Sequence, residues 1–414
     1  MKVTWKKNEK LKPQVLIEKL KEITTVNSDG TVSYAAFEKQ EIDSVILTML
    51  QFSGGFSYAT TKRLYLEAQA VCAKAKIFTK ESFISELNAA VVRHGKKREE
   101  IYTMVTSISL AGGFPVKAIA VGKAVVRSYP KGLPKKYRTR NQHSWKSELE
   151  QMPAAYCPVT VRLKSKDKMD AFHAAIYELD YVRAVHALYV NPEAQYNFGF
   201  QKSGPLNKIM FGGLHSLHRD NGALVDKNLH WYERNYQIKK VATVKSPQAL
   251  AKVAKTIIEK VSLHQNGSAI KAAIVRYVRA FDEDDKNVVI QKLWAALESI
   301  VSPNENNAES IVRRCSFMFD ERPYYAQILE HLREYRNRNV HAGHEVEDLD
   351  YHCYQLQMFF KEAVSFYVGN YKVLPTLAAA NKFLDLPSGY DELKQLQMFV
   401  EKALKYQRHD ERDD

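Results

Sequence analysis

The second half of the chain opens with the stretch SPQALAKVAKTIIEKV at residues 246–261. Its apolar residues recur three and four positions apart, the spacing of one face of an amphipathic helix. Ser246 stands where an N-cap is favoured, and Pro247 occupies the first helical position. Similar spacing recurs in further segments as far as residue 406. We therefore predict an all-helical bundle over residues 246–414.

The sequence before residue 246 has a different texture. Helical spacing at residues 11–22, 35–50 and 61–75 predicts a mostly helical segment over residues 1–100. Beyond residue 100, runs rich in β-branched residues predict strands at residues 101–110, 116–129, 159–163 and 231–244, with one helix at residues 169–188. The expected class is thus α+β: a mixed N-terminal region, with an α+β part at residues 101–245, followed by the all-α bundle.

The charge of the chain is concentrated in its first part. The 414 residues include 61 Lys and Arg against 47 Asp and Glu, a net charge of +14. Residues 1–245 hold 39 basic and 22 acidic residues, a net of +17, whereas residues 246–414 hold 22 and 25, a net of −3. Such an excess favours a polyanionic partner, above all a nucleic acid. We assign residues 101–245 to the recognition of RNA or another target.

One basic segment carries this prediction. Residues 101–147 contain nine Lys and Arg and no acidic residue, with Tyr129, Tyr137 and Trp145 interleaved. Cations can neutralise phosphates while aromatic rings stack on unpaired bases. A solvated basic loop without a partner is the alternative. The candidate RNA-binding residues of this segment are Lys117, Lys135, Lys136, Arg138 and Arg140.

Several classes of protein are disfavoured. The four cysteines are far apart and form no C-x-x-C pair, which suits reduced thiols in the cytoplasm. No apolar run approaches 18 residues, so no membrane span is expected. His215 and His218, followed by Asp220, have no second ligand cluster with zinc spacing, and we predict no metal and no cofactor.

The chemistry is predicted at residues 332–344, which read LREYRNRNVHAGH. Cleaving RNA without a metal requires a base for the ribose 2′-OH, and the unperturbed pKa of His lies near working pH. A guanidinium can hold two phosphoryl oxygens as charge builds on them. His341 and Arg336 suit these two tasks, and Asn337 can donate to a phosphate or orient the base.

Together with the upstream stretch LWAALESI at residues 293–300, this motif resembles the HEPN superfamily, specifically its Apea-like branch. The resemblance covers about residues 270–368. It implies an endoribonuclease of prokaryotic antiviral or toxin systems, with Arg336, Asn337 and His341 in the site. It also implies a homodimer through the helical domain, an abortive-infection role against phage, and a phage-derived activator. Trp294 and Glu298 are expected to support the site structurally, Glu298 by lying near a cation such as Arg336.

Other interpretations of the motif stay open. Residues 138–143, RTRNQH, have the same spacing but follow a Pro/Gly loop. His344 could replace His341 as the base, paired with Arg338, and a set of His341, His344, His352 and Cys353 would be an incomplete metal site. Cations that could widen the phosphate site are Arg333, Arg338, Arg313 and Arg314.

Two other functions also remain open. The cations near residue 341 could simply end a helix, with Gly343 as its C-cap. The protein would then be a nucleic-acid-binding module whose helical half dimerises or senses a ligand.

Overall fold

The structure is a computed structural model that describes residues 2–8, 10–53, 55–142, 153–194, 204–233, 236–303, 308–342 and 349–410, without the side chains of residues 36, 141–142, 308, 339–342 and 408–410. It contains both helices and strands, which confirms the mixed α+β class. The helices are α1 (Pro13–Glu22), α2 (Ala36–Met49), α3 (Tyr58–Ala75), α4 (Lys80–Lys96), α5 (Lys168–Val190), α6 (Pro247–Leu263), α7 (Gly267–Phe281), α8 (Lys286–Val301), α9 (Ala308–Ser316), α10 (Arg322–Ala342), α11 (Leu349–Gly369), α12 (Leu377–Leu384) and α13 (Tyr390–Asp410). The strands are β1 (Val3–Trp5), β2 (Thr24–Val26), β3 (Val32–Tyr34), β4 (Leu50–Phe52), β5 (Glu100–Ile108), β6 (Ala118–Val121), β7 (Ala124–Ser128), β8 (Cys157–Ser165), β9 (Leu214–Arg219) and β10 (His230–Tyr232).

Residues 2–98 pack around a hydrophobic core of their own. Helices α1 to α4 supply most of its buried side chains, and two small antiparallel sheets, β1–β4 and β2–β3, lie beside them. Helix α4 begins with a capping box, in which Thr79 and Ser82 each bond the backbone of the other. Ser57, the N-cap of α3, donates its hydroxyl to Asp170 on α5 and so ties this segment to the rest of the chain.

A six-stranded antiparallel sheet forms the centre of the molecule, in the order β10-β9-β5-β8-β7-β6. Side chains alternate between its two faces. Met104 lies opposite both Val161 and Leu217, and these three belong to the main hydrophobic core. Thr103 lies opposite both Arg162 and His218, on the face we call the outer face.

Helix α5 packs against the inner face of the sheet and is buried over much of its circumference. It begins at the N-cap Asp167, whose carboxylate accepts from the Met169 amide at 2.8 Å. Because the sheet covers one side and α6 and α7 contact the other, even Ala184 and Val185 are fully buried. One hydrophobic core therefore continues from the sheet into the helical half.

A buried ionic network joins the same two parts. The guanidinium of Arg183 is fully buried and bonds the carboxylates of Asp180 and Asp282. Arg279 on α7 bonds the other oxygen of Asp180 at 2.6 Å and Glu233 at 2.8 Å. Buried charges are tolerated when they are paired and hydrogen-bonded in this way.

The helical half keeps the predicted segments, with some differences at their ends. Ser246 occupies the N-cap position of α6 but makes no capping hydrogen bond with its side chain. The last helix, α13, presents large apolar side chains to solvent, among them Phe399, Val400 and Leu404, which are 53–57% exposed. No described helix combines the length and the apolarity needed to cross a membrane.

Candidate active site on α10

Helix α10 is fixed in the bundle through one face. Leu329 and Leu332 are fully buried, and Tyr335 is 8% exposed. Buried residues three positions apart lie on one side of a helix, and this side of α10 packs against the core. The Tyr335 hydroxyl donates to Asn287 Oδ1 on α8 at 2.9 Å. This anchor sets the position of the next residue, Arg336.

Arg336 and Asn337 lie side by side on α10, both half-buried. Arg336 Nη1 donates to Asn337 Oδ1 at 3.2 Å, and Arg336 forms no ion pair within the described ranges. Since its oxygen accepts this bond, the Asn337 amide still has N–H groups to donate elsewhere. The pair is therefore a cation and a donor that can both turn toward a phosphate.

The predicted base cannot be placed with the same detail. His341 lies within α10, but its side chain is outside the described residues, as is the whole of His344. By helix geometry, positions 336 and 341 are about 140° apart around the axis of α10, because each residue advances about 100°. Asn337, one turn before His341, shares its side of the helix more closely.

The other predicted cations differ in their surroundings. Arg338 is exposed, whereas Arg333 bonds Glu330 and lies 3.6 Å from Glu334 on its own helix. Phosphate would have to compete with those two carboxylates for Arg333.

Arg313 and Arg314 do not widen the site as expected. Both bond the carboxylate of Asp385, at 2.6 and 2.7 Å, and Arg314 is buried. Hydrogen bonding from Arg314 lowers the pKa of Asp385, which keeps this carboxylate charged. The pair of arginines therefore fixes the α12 end to α9.

Trp294 and Glu298 occupy different environments on α8. Trp294 is almost completely buried in the main core, in agreement with a structural role. Glu298 is half-buried and makes no ion pair with Arg336 or any other described cation. The expected restraint of Arg336 by Glu298 is therefore absent.

A contact between one histidine of α10 and one of α11 was not anticipated from the sequence. His331 Nε2 and His352 Nε2 lie 3.2 Å apart, and the His352 ring also contacts the Tyr335 ring at 5.1 Å between centroids. His331 and Tyr335 are four residues apart, so helical spacing could have placed them on one side. Neighbouring Cys353 faces the core, and burial raises the pKa of its thiol. No cluster of three or more metal-ligating side chains occurs in the described ranges.

The basic segment supplies the strands β5, β6 and β7 of the sheet, and its part near residues 135–142 lies over the outer face. A 3-10 helix at Lys135–Gln142 packs against the turn after β9, where Gly222 has a φ of +90° and a Cβ would lie 2.4 Å from the Lys136 carbonyl oxygen. Lys117, Lys135, Lys136 and Arg138 are exposed. Lys136 Nζ donates to the Asp220 carbonyl at 3.2 Å and lies 5.0 Å from the Tyr137 ring centre.

Arg140 differs from these cations because it is only 3% exposed. Its guanidinium donates to Val105 O, Ser216 Oγ and Leu214 O at 2.6–3.0 Å. Burial lowers its pKa to about 10. Arg140 therefore holds the 3-10 helix onto β5 and β9, and its assignment as an RNA-binding residue is corrected to a structural one.

Two arginines on the outer face of the sheet, Arg127 and Arg162, add to the exposed cations of the basic segment, to which Arg140 does not belong. Arg127 lies opposite Thr160, and Arg162 lies opposite Val125, so all four side chains share the outer face. Arg162 bonds Asp220 at 3.1 Å, and Arg127 is exposed. Trp145 and His143 of the basic segment are outside the described residues.

The histidines considered for a metal site have other partners. His215 Nε2 contacts Glu233 Oε1 at 3.0 Å and its Nδ1 contacts Thr106 Oγ1 at 2.8 Å. His218, on the opposite face of β9, contacts Ser216 Oγ and Gly222 O, both at 2.9 Å. Burial raises the pKa of Glu233, but the hydrogen bond from His215 and the charge of Arg279 outweigh that effect and hold this pKa below its usual range.

Comparison with known proteins adds no relative. No family model, no curated protein and no solved structure matches this chain.

Proposed function

We propose that the protein is a metal-independent endoribonuclease of the HEPN type. The observation that carries the proposal is Arg336, a half-buried cation on α10 that bonds Asn337 and forms no ion pair with a described carboxylate. Charged side chains away from water are usually paired. A guanidinium held without a counter-charge favours the binding of an incoming phosphate through two parallel hydrogen bonds.

In the proposed reaction, the ribose 2′-oxygen attacks the adjacent phosphorus. His341 takes the 2′-OH proton while the new O2′–P bond forms and the P–O5′ bond breaks. Arg336 stabilises the charge on the phosphoryl oxygens, and the Asn337 amide donates to one of them. Water or a second acid protonates the leaving 5′-oxygen. The products are a 2′,3′-cyclic phosphate and a 5′-hydroxyl end.

The angular separation of Arg336 and His341 around α10 favours a site built from two chains. Positions 336 and 341 are about 140° apart around the helix axis, so one helix presents these two residues poorly to a single phosphate. A homodimer through the helical half would let two α10 segments line one cleft. Each phosphate could then contact Arg336 of one chain and His341 of the other.

RNA would be held partly by the outer face of the sheet. Lys117, Lys135, Lys136 and Arg138 are exposed there or beside it, and Arg127 adds another cation. Exposed cations of this kind bind phosphates without regard to sequence. Arg333 and Arg338 would contact RNA nearer the bond that is cleaved. As an antiphage effector in the cytoplasm, the protein would cut RNA after a phage-derived signal.

The decisive experiment compares wild type, Arg336→Ala and His341→Ala on total RNA, with and without EDTA. We expect wild type to leave 2′,3′-cyclic phosphate ends in EDTA, and each variant to cut at least about 100-fold more slowly. Arg276→Ala, on the exposed side of α7, is the matched control and should cut like wild type. Equal cleavage by wild type and His341→Ala, or loss of cleavage in EDTA, contradicts the proposal.

A second candidate is a nucleic-acid-binding protein without catalysis. The exposed cations on the outer face favour it, since they need only bind. Its helical half would then serve dimerisation or the sensing of a ligand. Tight RNA binding by wild type, with no cleavage either in the purified state or in cells that express the protein, would select this candidate.

A further inference from the structure

Two histidines from different helices meet at the surface of the helical half. His331 is on α10 and His352 is on α11, and their Nε2 atoms lie 3.2 Å apart. His331 is exposed and His352 is half-buried, so the contact between the two rings is open to solvent. The proposed cleavage reaction uses neither ring, and this contact therefore calls for an explanation of its own.

The distance between the two nitrogens fits a shared metal ion as well as a hydrogen bond. At 3.2 Å it is at the long end of the range for hydrogen bonds between protein groups. Two imidazole nitrogens bound to one tetrahedral Zn²⁺, each at about 2.0–2.1 Å, would lie about 3.3–3.4 Å apart. A shift of roughly 0.1–0.2 Å, which side-chain rotation supplies, is therefore enough to turn the pair into two ligands of one ion.

Two neutral rings can bind such an ion without losing a proton. In the hydrogen bond, one Nε2 donates its N–H and the other accepts it. A ring that carries its proton on Nδ1 has a lone pair on Nε2, and this is the form in which neutral imidazole ligates a metal through Nε2. Only the donating ring has to move its proton, from Nε2 to Nδ1, so the change from hydrogen bond to metal site releases none.

The ring of His352 is held in position by Tyr335. The two rings lie edge to face, with 5.1 Å between their centroids. Tyr335 is itself fixed, since it is 8% exposed and donates its hydroxyl to Asn287 on α8. His352 therefore keeps its Nε2 near His331 before any ion arrives, and ligands that are already in place lose less conformational entropy on binding.

The charges next to His331 favour a cation. Glu330 precedes it, and Glu334 follows three positions later, which makes the two side chains neighbours on the surface of α10. Arg333 is the cation of this stretch, so residues 330–334 carry two acidic groups against one basic group, a net charge of −1. An ion with a positive charge is attracted to this end of the contact, whereas an anion is not.

We propose that His331 and His352 bind one divalent transition-metal ion, such as Zn²⁺ or Cu²⁺, through their Nε2 atoms. Since the described chain brings no third metal-ligating side chain to this point, water fills the remaining positions. Imidazole suits these ions, whereas Mg²⁺ prefers oxygen ligands. The ion would tie α10 to α11 before Arg336 and take no part in cleavage, so the proposal goes beyond the proposed function and does not depend on it.

The test measures the binding of Zn²⁺ to the full-length protein by calorimetry, after metal has been removed with EDTA and the EDTA by dialysis. We expect a dissociation constant on the order of 10–100 µM, because two protein ligands supply about half the binding free energy of a four-ligand site. His331→Gln and His352→Gln should each weaken binding by roughly tenfold or more, since even the loss of an outer-shell partner has an effect of that size. Because one ion needs both rings, the double variant should bind about as weakly as either single variant.

The controls separate this site from unspecific binding. His173→Gln removes an exposed histidine of α5 and should bind Zn²⁺ like wild type. Cu²⁺ should bind more tightly than Zn²⁺, and Mg²⁺ should not bind at the pair. Zn²⁺ should also raise the Tm of wild type and of His173→Gln, and leave the Tm of the two site variants unchanged.

Several results would overturn the proposal. One is the absence of Zn²⁺ binding by wild type at millimolar concentration. Another is equal affinity in wild type and the two site variants, which would place the ion elsewhere in the chain. Loss of binding in only one of these variants, or the same rise in Tm in all four proteins, would also reject a site shared by both rings. None of these measurements uses RNA, so a failure of the proposed ribonuclease activity leaves them unaffected.

Discussion

Arg183 on α5 and Asp282 after α7 are joined by two hydrogen bonds, of 2.8 and 2.6 Å, in the interior of the protein. One partner comes from the strand-rich region and the other from the helical half. Arg183 belongs to residues 1–245, which carry a net charge of +17, and Asp282 to residues 246–414, which carry −3. The contrast in charge between the two halves is therefore a property of their surfaces, because the core beneath is shared.

The first prediction concerns this ion pair. Arg183→Met should lower the free energy of unfolding by about 3–5 kcal/mol, because it leaves the buried carboxylate of Asp180 and the half-buried one of Asp282 short of a cation. Arg219→Met is the control, since its bond to Glu100 joins side chains that are 53% and 55% exposed. That substitution should cost about 1 kcal/mol or less. Chemical denaturation of both variants measures the difference, and equal losses would contradict a buried role for Arg183.

The second prediction concerns Glu298. Glu298→Gln should leave both RNA cleavage and the free energy of unfolding close to wild type, because Glu298 makes no ion pair with a described residue. Substitutions that remove no ion pair, hydrogen bond or core contact change stability by about 0.5 kcal/mol or less. A cleavage assay beside a denaturation curve tests it. A rise in the resting activity of Glu298→Gln would instead restore the idea that Glu298 restrains Arg336.

Most long periodic segments were predictable from the sequence, and the shortest elements were not. The strand predicted at residues 231–244 was wrong over most of its length, because the described residues of that range form a strand only in β10, which ends at Tyr232. Helix α5 and strand β5 lie where spacing and β-branched residues place them, because both continue for many residues. Strands β1 and β4 have three residues each. They form because they pair with each other, although about 50 residues separate them in the sequence. Helix α12 has eight residues, too few for a clear period.

The helix that carries the candidate site was predictable from the sequence, but the surroundings of the candidate residues were not. The sequence places Arg336 and Asn337 on one helix, and α10 confirms that placement. From the sequence alone, Arg138 and Arg140 could not be told apart as candidate RNA-binding cations. In the structure Arg138 is exposed, whereas Arg140 is buried among carbonyl groups. Burial depends on which strands a segment covers, and this is set by tertiary packing rather than by local sequence.

The third prediction separates these two arginines. Charge reversal at Lys135, Lys136 and Arg138 should weaken RNA binding and reduce the salt slope by about 0.7 for each phosphate that the variant no longer neutralises. Lys252→Glu, an exposed change on α6, is the control and should leave the slope unchanged. Arg140→Gln should act differently and lower thermal stability, since it removes buried hydrogen bonds. Titrations at several salt concentrations measure the slopes, and an unchanged slope in the triple variant would exclude the outer face.

The fourth prediction concerns acid stability and follows from the burial of His186 on α5. Its folded pKa of about 4 lies below the ordinary value of 6.5, so the unfolded chain takes up the proton first as the pH falls. Stability from this group is complete above about pH 6.5 and is lost progressively toward pH 4. Between pH 7.5 and pH 5 the expected loss is about 2 kcal/mol.

His186→Phe cannot take up that proton, so its unfolding free energy should depend less on pH by this amount. Burial also lowers the pKa values of His94 and His264, so those two histidines should maintain part of the acid loss in the variant. Denaturation curves at both pH values measure it, and equal pH dependence in the two proteins would show that His186 is not held neutral by burial.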